Sequence, residues 1–159
     1  MTAGVYLHIP FCKSRCSYCD FATDVYRNSG GVETYVDALC TELKGFTTDG
    51  IGSNTIYFGG GTPSLLIPDQ VDRILEMVRA TFRISDDAEL TMEMNPGTVT
   101  PETLAAYRAA GINRASFGVQ TFDDRHLKLL ARVADERDLA EPRPALAEVE
   151  VDVTARELA

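Results

Sequence analysis

Three cysteines lie close together near the start of the chain, at Cys12, Cys16 and Cys19, in a C-x3-C-x2-C spacing. A cubane iron–sulfur cluster takes one thiolate per iron and normally four in all. Three thiolates therefore hold three irons and leave the fourth open to a small molecule. The spacing predicts a reactive [4Fe–4S] cluster rather than a centre that only carries electrons.

Structural zinc is the alternative interpretation of the same segment. Zinc usually takes four nitrogen or sulfur ligands, often as two C-x2-C pairs. Cys16 and Cys19 form one such pair, Cys12 offers a third ligand, and His8 or Cys40 would complete the set. A zinc-stabilised module without catalysis therefore stays open. A disulfide framework is disfavoured because the group of cysteines is odd in number and no signal-peptide pattern opens the chain.

The composition is that of a globular domain, with 159 residues of which 45% are hydrophobic and 25% are charged. The formal net charge of −9 argues against a nucleic-acid-binding surface, since phosphate binding needs clustered lysines and arginines. No apolar run approaches the ~20 residues of a membrane span. Without a secretion signal, the chain is expected in the cytoplasm, where thiols stay reduced and clusters can be assembled.

Strand-like and helical patterns alternate along the chain. The predicted strands are 4–9, 55–58, 88–94 and 114–119. The predicted helices are 32–46, 68–82, 100–111 and 122–133, and in the third of them Thr100 is the expected N-cap and Gly111 the expected C-cap. Four βα units in series predict an α/β fold with a parallel sheet and right-handed crossovers, either doubly wound or closing toward a β/α barrel. Both architectures place their chemistry at the carboxyl ends of the strands.

Each unusual motif follows one of these predicted strands. The cysteine run follows the first strand, and the later motifs are at 59–61, 93–97 and 118–120. All of them therefore fall on one rim of the predicted sheet. This agreement is stronger support for a functional site than any single motif.

The rim residues suit ligand binding, and most of them also have a simpler interpretation. Three glycines, including Gly60 and Gly61, let a ligand approach the backbone, although a tight turn would need only one or two. Glu93 can accept two ribose hydroxyls, or can be a solvated charge at a strand end. Gln120 offers both a donor and an acceptor. Tyr6 either points into the rim or packs in the core.

The last part of the chain differs in composition. All 12 glycines lie at or before Gly118, and the last aromatic residue is Phe122. From about Ala134 the sequence turns to Ala, Glu, Asp, Arg and Pro, with weak strand-like alternation only at 149–153. Such a segment has little to bury. We therefore expect a domain at 1–133 and an irregular or helical low-complexity tail at 134–159.

The motifs together resemble the radical S-adenosylmethionine (SAM) family. The matching segments are YLHIPFC and CSYCDF between Tyr6 and Phe21, FGGGTP at 58–63, EMNP at 93–96 and RASFGVQTF at 114–122. Their order and spacing make a chance match rare. The resemblance covers about residues 5–132, and it implies a partial radical SAM β/α barrel of about four βα units.

The resemblance implies roles for the rim residues. Cys12, Cys16 and Cys19 would bind the cluster, and SAM would chelate its open iron through amino and carboxylate groups. One electron from the reduced cluster would cleave the sulfonium and release a 5′-deoxyadenosyl radical. The residues that would contact SAM are Tyr6, Gly60, Gly61, Thr62 and Glu93. The residues that would line a second SAM region nearby are Tyr18, Gln120 and Arg132.

Within the family, the chain is most similar to the oxygen-independent coproporphyrinogen III oxidases and the heme chaperones related to them. The oxidases carry a fourth cysteine two residues after the third, whereas here Cys19 is followed by Asp20 and Phe21, as in the heme chaperones. This resemblance implies heme or a porphyrin as ligand, a hemoprotein acceptor and an electron donor. Coproporphyrinogen oxidation in porphyrin biosynthesis remains the alternative function.

The chain also departs from the family pattern. Family members are more than twice as long, and Ala131 and Ala134 stand where they usually have glycine and histidine. These departures favour an N-terminal fragment of the barrel followed by an unrelated tail. An incomplete barrel has an unpaired parallel edge strand. We therefore expect a homodimer, or another partner, that covers this edge.

Overall fold

The computed structural model describes residues 2–16, 18–46, 51–121, 125 and 150–155. The strands are β1 (Thr2–Ile9), β2 (Phe11–Cys12), β3 (Asp24–Val25), β4 (Gly52–Gly60), β5 (Arg83–Met94), β6 (Arg114–Gln120) and β7 (Glu150–Ala155). The helices are α1 (Ser29–Gly45), α2 (Pro68–Thr81) and α3 (Pro101–Ala110), with a short 3-10 helix at Pro63–Leu65. No helix within these ranges is both long and apolar enough to cross a membrane.

Five of the strands form one parallel sheet in the order β1-β4-β5-β6-β7, which follows the order of the chain apart from the small β2–β3 ribbon. Helix α2 packs between α1 and α3 over one face of this sheet. A doubly wound sheet would reverse its strand order and carry helices on both faces. The described sheet is therefore an arc of a β/α barrel, and the doubly wound alternative is wrong.

The alternation of side chains along each strand separates the face that the helices cover from a face that no described helix covers, which is called the uncovered face below. Leu7 and Ile9 of β1 and Phe58 of β4 are buried in the core that the helices share. Tyr6, one residue before Leu7, points to the opposite face and is 59% exposed. The uncovered face is therefore the one that carries polar and aromatic groups toward the predicted site.

The helices begin and end at residues that satisfy their terminal backbone groups. Asn28 caps α1 by accepting a hydrogen bond from Gly31 N, so this helix begins three residues earlier than predicted. Thr100 caps α3 as predicted, and Thr103 completes the capping box, with its hydroxyl accepting from Thr100 N at 2.8 Å. Gly111 ends α3 with a positive φ of 119°, also as predicted.

Part of the predicted tail is a strand, which corrects the expectation of an irregular or helical segment at those residues. β7 pairs in parallel with β6. The weak alternation at 149–153 is enough for a strand to form here, because this strand pairs with the backbone N–H and C=O groups along one side of β6. Among the described residues, the edges of the sheet are β1 and β7. The boundary at residue 133 stays a prediction, and the fourth helix predicted at 122–133 lies outside the described residues apart from Arg125.

Gly61, just after β4, approaches two backbone carbonyls so closely that no side chain fits. A Cβ there would lie 2.6 Å from Phe11 O and 3.0 Å from Ile9 O. We expect Gly61→Ala to lower the free energy of unfolding by about 2 kcal/mol in a urea titration, because backbone atoms must shift. Gly45→Ala is the matched control, since nothing lies within 4 Å of a Cβ there. It should be neutral or stabilising by about 0.5 kcal/mol, and equal losses in both variants would contradict the prediction.

Candidate cofactor site

The carboxyl ends of neighbouring strands bring the sequence motifs together. Ile9 at the end of β1 pairs with Gly60 at the end of β4, and β5 pairs with the other side of β4. Hydrogen bonds from Gly61 N to Ile9 O (2.8 Å) and from Thr62 N to Phe11 O (2.7 Å) continue this contact beyond the strands. The triple glycine and the start of the cysteine segment are therefore in direct contact at the rim.

The cysteine loop is tied to this rim at both ends. In the β2–β3 ribbon, the N–H of Tyr26 donates to Cys12 O at 2.7 Å. His8 Nε2 lies 2.8 Å from Ala22 O, near the far end of the loop. Because a carbonyl only accepts, the imidazole donates its Nε2 proton. His8 thus holds the loop against the sheet, and in this arrangement its Nε2 is not open to a zinc ion.

The three predicted cluster ligands lie on this loop as partly exposed thiols. All four cysteines are described, and none of them forms a disulfide. Within the loop, Cys19 N donates to Cys16 O at 3.3 Å and closes a turn. Within the described ranges, no group of three or more His, Cys, Asp or Glu side chains is close enough to hold a metal ion. Ligation itself draws such donors together. The thiols therefore fit a cluster in type and number, but the fold alone does not bring their sulfurs together.

Glu93 lies near the end of β5 with both carboxylate oxygens engaged. Tyr57 Oη donates to Oε1 at 2.8 Å, and Gly60 N donates to Oε2 at 3.1 Å. Burial raises the pKa of Tyr57 strongly and the hydrogen bond to Glu93 adds to the shift, so the phenol keeps the proton that it donates. The carboxylate is held in one orientation, and each oxygen keeps a further lone pair for another donor. The interpretation as a freely solvated charge is therefore wrong.

The triple glycine is required by packing within the protein. A Cβ on Gly59 would lie 2.8 Å from the Tyr57 ring and 2.9 Å from the Tyr6 ring. Gly60 has a φ of 110°, and a Cβ there would lie 2.7 Å from the His8 ring. The third glycine faces the backbone carbonyls described above. Contact between this motif and SAM stays a prediction, because packing alone accounts for all three glycines.

Tyr6 lies on the uncovered face of the sheet, so its interpretation as a core residue is wrong. Its ring stacks on that of Tyr57, with 6.0 Å between centroids and 19° between planes. Its hydroxyl lies 3.4 Å from His8 Nδ1. Partial burial raises the pKa of Tyr6, and the charge of Glu93 adds to the shift. The two tyrosine rings, the imidazole and the carboxylate thus form one continuous surface below the rim.

Thr62 connects the motifs of β4 and β5 to a cysteine. Its hydroxyl oxygen accepts a hydrogen bond from Asn95 Nδ2 at 2.8 Å and lies 3.7 Å from Cys12 Sγ. The sequence reasoning assigned no role to Asn95 or to Tyr57. The available signal was their position, since Asn95 follows a predicted strand end and Tyr57 alternates with core residues of β4.

The structure describes two of the three residues predicted to line a second SAM region, Gln120 and Tyr18. Gln120 ends β6 with a φ of 72°, the single positive value for a non-glycine residue in the described part of the chain. Such a backbone costs about 1–3 kcal/mol and is typical of ligand-binding and active sites. Tyr18 is 47% exposed on the cysteine loop. Arg132 lies outside the described residues.

Glu93 is predicted to contact SAM and Tyr57 orients its carboxylate, so loss of the Tyr57 hydroxyl should weaken SAM binding. We expect Tyr57→Phe to lower SAM affinity about fivefold, because a hydrogen bond worth about 1 kcal/mol no longer fixes the carboxylate. Tyr107→Phe is the matched control, since its phenol donates to Leu66 O at 2.6 Å within the core. Calorimetry on anaerobic protein should show unchanged SAM affinity for this control and only a loss of stability. Equal affinity losses would argue against a specific role of Tyr57.

The fold and the rim motifs define a class of protein. The sequence pattern of the radical SAM superfamily matches residues 6–148, which is most of the chain. The chain therefore belongs to the radical SAM superfamily, as the cysteine spacing and the rim motifs predicted. Membership implies a [4Fe–4S] cluster and SAM as the cofactors of the family.

Heme chaperones are among the similar proteins. Heme chaperone HemW of Synechocystis sp. is 40% identical over 157 residues, which cover 96% of this chain and 38% of that protein. HemW of Escherichia coli is 41% identical over 132 residues, covering 82% of this chain and 35% of that protein. The mitochondrial radical S-adenosyl methionine domain-containing protein 1 of Mus musculus is 41% identical over 149 residues, covering 89% and 33%. The chain thus spans between 33% and 38% of the length of these relatives.

Two solved structures share the architecture. Coproporphyrinogen III oxidase (HemN) of Escherichia coli, a radical SAM enzyme, matches with a TM-score of 0.88 at 29% identity, over 97% of this chain and 36% of that one. Methylornithine synthase (PylB) matches with a TM-score of 0.54 at 16% identity, over 94% and 43%, which shows the fold alone. The predicted partial β/α barrel and the predicted group within the family are therefore confirmed.

Proposed function

We propose that this chain is part of a heme-chaperone-type radical SAM protein, which binds a [4Fe–4S] cluster and SAM and serves in binding heme and delivering it to a hemoprotein. The similarity to proteins named heme chaperones supports this proposal. So does the sequence Cys19-Asp20-Phe21, which lacks the fourth cysteine of the oxidases. Heme, the acceptor hemoprotein, an electron donor and a cytoplasmic location all belong to the proposal.

The observation that carries the proposal is the contact between the cysteine segment and the two motifs that follow β4 and β5. Cys12 Sγ lies 3.7 Å from the Thr62 hydroxyl, and Gly60 N lies 3.1 Å from Glu93 Oε2. A cluster held at Cys12 would therefore lie beside the glycine motif and near the carboxylate. A ligand that binds both the cluster and the strand ends requires this arrangement.

Each residue has a distinct part in the proposed site. Cys12, Cys16 and Cys19 ligate the cluster, which when reduced supplies the electron for cleavage of SAM. The residues proposed to contact SAM are Tyr6, Gly60, Gly61, Thr62 and Glu93. Glu93, fixed by two donors, offers its remaining lone pairs to ribose hydroxyls. The residues proposed to line the neighbouring region are Tyr18, Gln120 and Arg132.

Oxidation of coproporphyrinogen is the second candidate, and the TM-score of 0.88 with the oxidase from Escherichia coli is the observation that favours it. Two assays on the same anaerobic preparation separate the candidates. Transfer of bound heme to an apo-hemoprotein, followed by its Soret band, is expected; turnover of coproporphyrinogen III to vinyl products is not. Turnover of coproporphyrinogen III without heme binding would favour the oxidase function over the heme-chaperone function.

A homodimer is a further part of the proposal. The strands β1 and β7 are the sheet edges among the described residues. In the described part of the chain, each has no strand paired on its outer side, and another chain can cover such an edge. Size-exclusion chromatography over a range of concentrations tests this, and a stable monomer at all concentrations would contradict it.

A further inference from the structure

The Thr62 hydroxyl lies between two groups that are far apart in sequence. Its oxygen is 2.8 Å from Asn95 Nδ2 and 3.7 Å from Cys12 Sγ. Thr62 is only 2% exposed, so water competes little for these contacts. Cys12 ends β2, Thr62 lies two residues after β4, and Asn95 directly follows β5. The contact therefore joins three separate rim segments.

The direction of the hydrogen bonds follows from the chemistry of the three groups. An amide nitrogen only donates, so Asn95 Nδ2 occupies a lone pair of the Thr62 oxygen. The hydroxyl has a single proton, which is then directed at the Cys12 sulfur. Thr62 is thus a donor to Cys12, and Asn95 sets its orientation.

Asn95 is itself fixed through its backbone. Its N–H donates to Ser64 Oγ at 3.4 Å, and its carbonyl accepts from Thr98 Oγ1 at 2.6 Å. The hydroxyls of Ser64 and Thr98 also lie 2.6 Å from each other. A side chain anchored in this way loses little entropy when it orients a neighbour.

We propose that Thr62, positioned by Asn95, hydrogen-bonds the Cys12 thiolate of the bound cluster and favours the reduced cluster. The inference rests on the proposed function, since it takes Cys12 as a cluster ligand. One-electron reduction adds one negative charge, spread over the cluster and its thiolate sulfurs, and no bond forms or breaks. A hydrogen-bond donor at a ligand sulfur stabilises this charge and raises the reduction potential. The electron comes from an external one-electron reductant, which is dithionite in the test.

The test compares midpoint potentials of the reconstituted full chain without SAM, so that contacts to SAM do not contribute. Thr62→Val keeps the shape of the side chain and removes the donor, and its potential should shift to a more negative value. Thr62→Ser keeps the hydroxyl and should titrate like the unmodified protein. Stepwise addition of dithionite, followed by the electron paramagnetic resonance signal of the reduced cluster, gives the potentials. Thermal melting of each variant reports whether the fold is retained.

Asn95→Asp provides a second, independent variant. A carboxylate at this position accepts the Thr62 proton and so takes it away from Cys12, which should also shift the potential to more negative values. Because the added charge acts on the cluster directly as well, the same change is made in the Thr62→Val background. If Asn95 acts through Thr62, the shift caused by Asn95→Asp is smaller in that background.

The outcomes distinguish this inference from the proposed function. Equal potentials for the unmodified protein and Thr62→Val, with the cluster present in both, overturn the inference and leave cluster binding intact. A shift in Thr62→Ser as large as that in Thr62→Val also overturns it, since packing would then be the cause. If Thr62→Val fails to fold, Thr62→Ala supplies the background without the hydroxyl: a shift from Asn95→Asp that is smaller in that background than in the unmodified protein supports the inference, and an equal shift in both overturns it. Absence of any cluster in the unmodified protein overturns the proposed function itself.

Discussion

Alanine in place of any one of Cys12, Cys16 and Cys19 is expected to abolish cluster assembly. After anaerobic reconstitution, iron and sulfide should fall from about four of each per chain to near zero. Two thiolates leave two irons without a protein ligand, and a cluster held so weakly is lost to solvent and chelators. Elemental analysis measures the loss, and the brown absorbance of the cluster should disappear with it.

Cys40→Ala is the matched control for the three loop variants. Cys40 lies on α1 in a groove between α1 and α2 that Asp37 and Arg73 also line, and burial raises the pKa of its thiol. A protonated, partly buried thiol is a poor metal ligand, so this variant should keep its full iron and sulfide content. Loss of the cluster in Cys40→Ala but not in one of the loop variants would show that the ligand assignment is wrong. Zinc at about one per chain in place of iron would support the zinc-stabilised module instead.

Glu93→Ala is expected to lower SAM affinity about 100-fold while cluster content stays unchanged. Hydrogen bonds to a charged group are worth about 1.5–3 kcal/mol each, and the carboxylate is proposed to accept from the ribose. The cluster is spared because Glu93 lies on β5, whereas the three cysteines lie on the loop between β1 and α1. Titration calorimetry with SAM, on protein of known iron content, gives both quantities.

Glu89→Ala removes the same charge from the same strand and is the control for Glu93→Ala. Its carboxylate is half-exposed and lies 3.9 Å from Arg114 Nη1, away from the carboxyl end of β5. We expect SAM affinity within about twofold of the unmodified value, since surface ion pairs contribute little. An equal drop in both variants would mean that net charge, rather than the position of Glu93, governs binding.

The cysteine set and the barrel arc were predictable because their signals are local. The spacing of Cys12, Cys16 and Cys19 specifies the number of thiolates without reference to the rest of the chain. The alternation of strand and helix specifies parallel pairing, and parallel pairing places every strand end on one rim. The capping residues Thr100 and Gly111 were predictable for the same reason, since each acts within one turn of its helix.

The strand β7 was missed because its signal is not local. The alternation at 149–153 is weak, and composition favoured an irregular or helical tail. Pairing with β6 stabilises these residues as a strand, and β6 lies about 30 residues earlier in the chain. Strand formation of this kind depends on the edge that is available rather than on intrinsic propensity.

The sequence by itself determined which chemical groups this protein brings to its rim: three cysteine thiols, a glycine motif and a carboxylate, each following a strand. Only the tertiary structure decided what those groups contact. It orients Glu93 through Tyr57, directs the Thr62 hydroxyl at Cys12, and does not by itself gather the three loop thiols, all of them described, into a group that could hold a metal ion. The physical reason is that hydrogen-bond partners 36 and 50 residues apart are set by strand register and packing, whereas residue type and spacing are properties of the chain alone.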